Sequence, residues 1–117
     1  MEIRLKRAYD PAAEDDGTRI LVDRMWPRGV SKQTLKTDLW LRDLAPSPAL
    51  RKWFGHDPER WDAFRAAYHR ELAGGPDGLD TLRAAVARGP VTLVYAARDT
   101  RHNNAAALKE FLEGEES

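Results

Sequence analysis

Two short, continuous runs of apolar residues constrain the fold most. One is Ile20-Leu21-Val22, inside a strand predicted over residues 18–24, and the other spans residues 91–97. Because neither run alternates with polar residues, each is typical of a strand buried on both faces of a sheet. Helical patterns separate the two runs, and parallel strands need a connection of a dozen or more residues. The sequence therefore predicts a single compact α/β domain, a small, mainly parallel sheet flanked by helices, with these two strands at its centre.

The remaining elements follow from periodicity and capping residues. Residues 2–9 alternate between apolar and charged side chains, which predicts an exposed or edge strand. Ser47-Pro48 and Asp57-Pro58 each place a capping side chain before a proline, a pattern typical of helix starts. Apolar residues then recur at helical spacing in three segments, 61–72, 79–86 and 105–112.

Less regular segments are predicted to be connections. Residues 10–17 are acidic and end in glycine, so a solvated turn between two strands is expected. Residues 38–43 are interpreted as a flap near the strand ends, and residues 113–117 as a frayed acidic tail. The predicted domain covers residues 1–117.

Composition limits the classes of function. Nineteen basic and nineteen acidic residues give no net field that would attract nucleic acid, so any anion binding must be local. The absence of cysteine removes disulfides, thiolate catalysis and cysteine-ligated metals. The first residues lack the apolar core of a signal peptide, and no stretch approaches the roughly 20 apolar residues of a membrane span. We therefore expect a cytoplasmic protein that does not enter a membrane.

The most function-like feature is the segment that follows the first buried strand. It contains Arg24, Trp26, Pro27, Arg28 and Gly29. Guanidinium groups bind carboxylate or phosphate through paired hydrogen bonds, and an indole stacks on flat ligands. Pro27 restricts the backbone and Gly29 permits a turn or a close ligand approach.

A second segment follows the other buried strand. Arg98 adds positive charge, and Asn103 offers hydrogen bonds near the start of the last helix, where backbone N–H groups favour anions. His102 is a candidate general acid or base, and Asp99 is a candidate to orient it or to activate a water. In parallel sheets, ligands bind beyond the carboxyl ends of the strands. The two segments therefore predict one shared site.

Purely structural roles explain the same residues. Arg24 and Arg28 would then pair with internal carboxylates such as Asp23 or Asp43, while Trp26 would fill the core under a loop. Likewise, Asp99 and Asn103 would be helix caps, and His102 a solvated residue of the first helical turn. The other large aromatic residues are most simply packing residues: Trp40, Trp53, Phe54, Trp61 and Phe64.

No metal or cofactor is predicted. The three histidines, His56, His69 and His102, have no metal-ligand spacing. Glycine-rich motifs for dinucleotides or nucleoside triphosphates, and the zinc protease and serine hydrolase motifs, are missing.

Longer sequence blocks carry a family resemblance. Residues 21–31, 45–47, 50–54, 56–58 and 95–99, together with His102-Asn103, resemble the YeaO-like branch of domain-of-unknown-function family 488. The resemblance covers nearly the whole chain and implies a compact bacterial or archaeal α/β domain with both arginine-rich segments as signature positions, but no settled activity. Longer relatives often carry a cysteine–histidine pair near the position of His102-Asn103. This chain has no cysteine, so only its own Arg, Trp, Asp, His and Asn positions are carried over.

Three functional hypotheses follow. The first is a pocket for a small anionic ligand (phosphate, nucleotide or carboxylate), with or without hydrolytic or transfer chemistry. The second, disfavoured by the zero net charge, is a nucleic-acid-binding module using Arg24, Arg28 and the basic residues of the first strand, with Trp26 as a stacking platform. The third is a protein interaction surface formed by Trp40 and Trp53.

Overall fold

A computed structural model describes residues 1–115 of the chain. Within this range, one sheet contains four strands in the order β1-β4-β2-β3, and every neighbouring pair is parallel. The strands are β1 (Ile3–Arg7), β2 (Thr18–Leu21), β3 (Leu39–Trp40) and β4 (Val91–Tyr95). The predicted α/β fold, with the two apolar runs as the central strands and residues 2–9 at an edge, is confirmed.

Helices cover both faces of the sheet. They are α1 (Lys32–Leu35), α2 (Pro48–Phe54), α3 (Trp61–Ala73), α4 (Leu79–Arg88) and α5 (Asn104–Glu115). Ser47 caps α2 as predicted, because its side chain accepts a hydrogen bond from the Leu50 amide. Asp57 instead caps a 3₁₀ turn, Pro58–Arg60, and the α-helix begins one turn later than the proline pattern suggested.

Alternating side chains divide the core between the two faces, as the pleat of a strand requires. Ile20 and Leu93 face the larger cluster, which contains the apolar sides of α2 to α5. Leu21 and Val94 face a smaller cluster completed by Leu35 of α1. Both central strands are therefore buried on two sides, which is the arrangement that their unbroken apolar runs predicted.

The segment after β1 differs from the predicted solvated turn. Asp16 is only 3% exposed and ends a 3₁₀ turn, Glu14–Asp16. Its carboxylate accepts hydrogen bonds from Lys6 at 2.9 Å and from the buried Arg19 at 2.7 Å. Burial alone would raise the pKa of Asp16, but the hydrogen bonds from Lys6, the Ala13 amide and Arg19 outweigh it and lower the pKa from 3.8 to about 2. Through these contacts, Asp16 fixes the acidic loop against β1 and β2.

Two other predicted connections contain regular structure. The segment interpreted as a flap, residues 38–43, contains β3, which pairs with β2 through Leu39 and Trp40. At the other end, α5 continues to Glu115, whose carboxylate pairs with Arg83. The prediction of a frayed tail from residue 113 is therefore wrong for residues 113–115, and residues 116–117 lie outside the described part. None of the helices within residues 1–115 has the length and apolar character of a membrane span.

Candidate functional site

A cleft opens at the carboxyl ends of the two central strands. Its walls come from the residues after β2, from the residues after β4 and from the end of α2. The cleft has a volume of about 1010 Å³, at the upper end of the range of about 300–1,000 Å³ that is typical of small-molecule sites. Both arginine-rich segments line it, as the strand-end rule predicts.

Most of the predicted site residues share this cleft. Six of them line it: Arg24, Trp26, Arg28, Arg98, Asp99 and Asn103. Gly29 does not, and its φ of 77° places it in the turn that returns the chain to Val30. His102 also lies outside the lining.

Arg24 is a partly buried arginine of the cleft whose hydrogen-bond donors are only partly satisfied. Its Nη2 is 3.4 Å from the carbonyl oxygen of Ala45 and 3.3 Å from that of Pro46. Both distances are long for hydrogen bonds from nitrogen to oxygen. Its Nε is buried and has no hydrogen-bond partner within the described chain. Arg24 therefore retains unused donor capacity.

The other cleft arginines are solvent-exposed at the rim. They are Arg28 and Arg98, which follow the strands, and Arg51, which lies on α2. Within residues 1–115, neither these three side chains nor Arg24 has a carboxylate oxygen within 4.0 Å. The internal pairing of Arg24 and Arg28 with Asp23 or Asp43 is therefore not the arrangement found.

Trp26 combines packing with its position in the cleft. Its indole nitrogen donates a hydrogen bond to the Val30 carbonyl at 2.6 Å, and its ring meets Trp40 edge-on at 5.5 Å. Trp26 also packs against the smaller core cluster. These contacts fix the ring in place, in agreement with the packing role considered for it.

Asp23 is a mostly buried carboxylate in the wall of the cleft. It accepts hydrogen bonds from the Ala96 amide at 2.9 Å and from the Asn104 side chain at 3.0 Å. Burial raises the pKa of Asp23 above 3.8, although these two hydrogen bonds and the charges of Arg51 and His56 act in the opposite direction. Asp23 thus links the end of β2 to the end of β4 and to α5.

Asp99 and His102 form a local pair. The amides of Arg101 and His102 donate to Asp99 Oδ1, and His102 Nδ1 lies 2.9 Å from Asp99 Oδ2. The backbone hydrogen bonds from His102 and Arg101, followed by that of the His102 ring, lower the pKa of Asp99 from 3.8 to about 2. Since the carboxylate is ionised at neutral pH, it accepts and His102 Nδ1 carries the proton. The ring itself meets Trp61 edge-on at 5.3 Å.

Asn103 is the cap of α5. Its side-chain oxygen accepts a hydrogen bond from the Ala106 amide at 2.8 Å, and its side-chain nitrogen donates to the Asp99 carbonyl at 3.0 Å. The capping role considered for Asn103 is present in this geometry. Asp99 fastens the loop before α5 and does not cap the helix.

Four further polar residues line the cleft, namely Asp23, Arg51, His56 and Asn104. Arg51 lies within α2 and His56 lies just after it, far from both strands in the chain, and no local pattern predicts that approach. His56 has a φ of 57°, a left-handed conformation uncommon outside glycine. Asp23 and Asn104 directly adjoin the predicted site residues Arg24 and Asn103 in the chain.

Residues of the nucleic-acid hypothesis on β1 are already engaged. Arg4 pairs with Glu2, Lys6 with Asp16, and the Arg7 Nε donates to the Ala97 carbonyl at 2.9 Å. These contacts leave little basic surface continuous with the cleft. They do not favour a nucleic-acid-binding surface.

The tryptophans of the interaction hypothesis do not form one patch. Trp40 packs on the smaller cluster, while Trp53 belongs to α2, which packs on the opposite face of the sheet. Trp53 is 43% exposed and therefore is not a core residue, contrary to the packing expectation. Its ring contacts the Arg60 guanidinium at 5.1 Å.

Metal-binding groups do not converge in the described range. Residues 1–115 contain no cluster of three or more histidine or acidic side chains that could hold an ion. The cleft is therefore characterised by its guanidinium groups and by Asp23.

The comparison with protein families agrees with the blocks of sequence described above. Residues 2–117 match the family model described as the inactive DUF488-N3 subclade. The chain belongs to this family. The earlier resemblance to domain-of-unknown-function family 488 is thereby confirmed.

Curated relatives of this DUF488 chain align over almost their full length. The uncharacterized protein YeaO of Escherichia coli (strain K12) is 42% identical over 112 residues, which cover 96% of this chain and 97% of YeaO. An uncharacterized protein of Mycobacterium tuberculosis (strain H37Rv) is 41% identical over 112 residues, covering 96% and 94% of the two chains. No solved structure matches the chain.

Proposed function

We propose that this protein binds a small anionic ligand in the cleft and performs no chemistry on it. The ligand class is a phosphate, a carboxylate or a nucleotide, held by Arg24 with help from Arg28, Arg51 and Arg98. Guanidinium groups suit such ligands because their donors match the oxygens of phosphate and carboxylate.

The buried, unpartnered Nε of Arg24 carries this proposal. Leaving a buried donor without a partner costs about 1–3 kcal/mol, and more when the group is charged. Proteins rarely retain such a group without a reason, and an anion in the cleft would supply the missing acceptor. Elsewhere the chain satisfies its buried arginine, because Arg19 bonds both Asp16 and the Leu35 carbonyl.

The charge distribution supports the same conclusion. Four cleft arginines without carboxylate partners face two acidic groups, Asp23 and Asp99. The cleft lining therefore has an excess of positive charge, although the whole chain has a net charge of zero. A concave site with a local positive field attracts small anions without attracting long polyanions.

Binding without catalysis is favoured by the state of the candidate catalytic pair. The Asp99 carboxylate already accepts three hydrogen bonds, and its pKa of about 2 makes it a weak base at neutral pH. His102 does not line the cleft and uses its Nδ1 proton on Asp99. The family description, an inactive subclade, fits this interpretation.

Calorimetric titration with inorganic phosphate at low ionic strength tests the proposal. We expect saturable binding by the wild-type protein. Arg24→Met and Arg51→Ala should each weaken it about tenfold or more, the effect of losing one charge-assisted hydrogen bond. Phosphate affinity that is unchanged in both variants, or absent from the wild-type protein, would contradict the proposal.

Arg88→Ala is the matched control. Arg88 is exposed at the end of α4, just before β4 begins, so it lies at the edge of the sheet opposite the cleft. Arg88→Ala changes the net charge by the same amount as Arg24→Met or Arg51→Ala. We expect phosphate affinity to stay within twofold of wild type, because the effect should depend on the location of the arginine.

A further inference from the structure

We propose that the ligand of the cleft carries an N–H donor group, ammonium or amide, beside its anionic group, and that Asp23 recognises this donor. The inference rests on the proposed anion site and specifies the class of ligand that this site accepts. Asp23 is then a specificity-determining residue, and the arginines supply the affinity for the anion.

Asp23 has acceptor capacity left over. Each carboxylate oxygen has two lone pairs, and each accepts only one hydrogen bond within the described chain. Oδ2 bonds the Ala96 amide and Oδ1 bonds the Asn104 side chain. The residue also lines the cleft. A donor that enters the cleft beside Asp23 would meet a carboxylate that is already held in a fixed position.

No basic side chain neutralises this carboxylate directly. Within residues 1–115, no lysine, arginine or histidine nitrogen lies within 4.0 Å of its oxygens. Arg51 and His56 act on it only at longer range. Burial makes its charge costly, as the raised pKa of Asp23 indicates. An ammonium or amide N–H from the ligand would offset that cost.

The same carboxylate disfavours anions without a donor. A carboxylate or a fully ionised phosphate drawn in by Arg24 would meet the like charge of Asp23 with no proton between them. An unpaired like charge in a partly buried site reduces affinity and is a common source of specificity. The cleft volume of about 1010 Å³ leaves room for a ligand with both groups.

Matched probes that differ only in the amino group provide the test. Phosphoethanolamine is compared with ethyl phosphate, and β-alanine with propionate, by calorimetry on the full chain at neutral pH. We expect the amine-bearing member of at least one pair to bind about tenfold more tightly, the effect of one hydrogen bond to a charged group. Equal affinity within both pairs would overturn the inference while leaving the anion site intact. Binding of none of the four probes would overturn this inference, and it would overturn the proposed function as well if inorganic phosphate also fails to bind.

One variant and its control test whether the preference for the amine-bearing probe depends on Asp23. Asp23→Asn should reduce the preference for the amine to less than threefold while ethyl phosphate binds equally well or better. Asp43→Asn is the control, because Asp43 is an exposed carboxylate outside the cleft and its loss changes the net charge equally. Retention of the full preference by Asp23→Asn would overturn the assignment. The comparison of probes on the wild-type protein decides the matter even if that variant does not fold.

Discussion

Asn104 Nδ2 lies 3.0 Å from Asp23 Oδ1 and 3.1 Å from the Val22 carbonyl oxygen, so one amide ties the first turn of α5 to the end of β2. Both partners directly follow β2 and precede Arg24, which lines the cleft. Asn104 therefore stabilises the wall of the candidate site as well as the helix.

Replacement of Asn104 tests how much these two hydrogen bonds contribute to stability. Asn104→Ala should lower the free energy of unfolding by about 1–3 kcal/mol, because two acceptors lose their donor. Asn104→Asp should cost more at pH 7, since it places a second carboxylate against Asp23 and like charges repel. Protonation removes that repulsion, so the difference between the two variants should shrink as the pH falls below about 5. Urea unfolding at pH 7 and pH 4.5 measures both effects, and a pH-independent difference would contradict the repulsion.

Sequence periodicity predicted the elements with long apolar patterns. The two buried strands, the edge strand and helices α3 to α5 all appear, because burial of an apolar face determines each of them. Helix α2 was predicted from its Ser47-Pro48 start instead. β3 and α1 were not predicted, because elements of two and four residues contain too few positions to show a periodic pattern of apolar residues. Their existence depends on tertiary contacts such as the burial of Leu35.

The position of the cleft was predictable and its chemistry was only partly so. The strand-end rule placed Arg24 and Arg98 at one edge correctly. The direction of His102 was not accessible from sequence, because it depends on the hydrogen-bonded loop that Asp99 closes. Asp23 was considered only as a partner for arginine, whereas backbone and amide donors hold it.

The buried ion pair of Asp16 and Arg19 should make the free energy of unfolding depend on pH in the acidic range. The pKa of Asp16 falls from 3.8 to about 2 on folding, so the stabilisation is present above about pH 4 and is lost as the pH falls through about 2. The shift corresponds to about 2 kcal/mol. Asp16→Asn should cost about 3 kcal/mol at pH 7, because it leaves Arg19 buried without its counter-charge.

Denaturant unfolding between pH 7 and pH 2 checks this dependence. The difference between wild type and Asp16→Asn should narrow as the pH falls, since acid neutralises the wild-type carboxylate too. Asp15→Asn is the control, because Asp15 is exposed and its carboxylate approaches Arg4 only at 3.8 Å. It should change stability by less than about 0.5 kcal/mol at either pH. A constant difference between wild type and Asp16→Asn would contradict the assignment.

Gly17 allows the acidic loop to pass against the residue before β4. Its φ is 67°, and a Cβ placed there would overlap the backbone carbonyl of Pro90, with the carbonyl carbon at 2.8 Å. Gly17→Ala should therefore destabilise the fold by about 3 kcal/mol or more, because it combines the strain of a positive φ outside the left-handed helical region with overpacking. Gly75→Ala is the matched control, because Gly75 has a φ of 72° and open space around it. It should cost only about 1 kcal/mol from the backbone conformation. Thermal unfolding compares the two, and equal losses would show that the approach to Pro90 adds no cost.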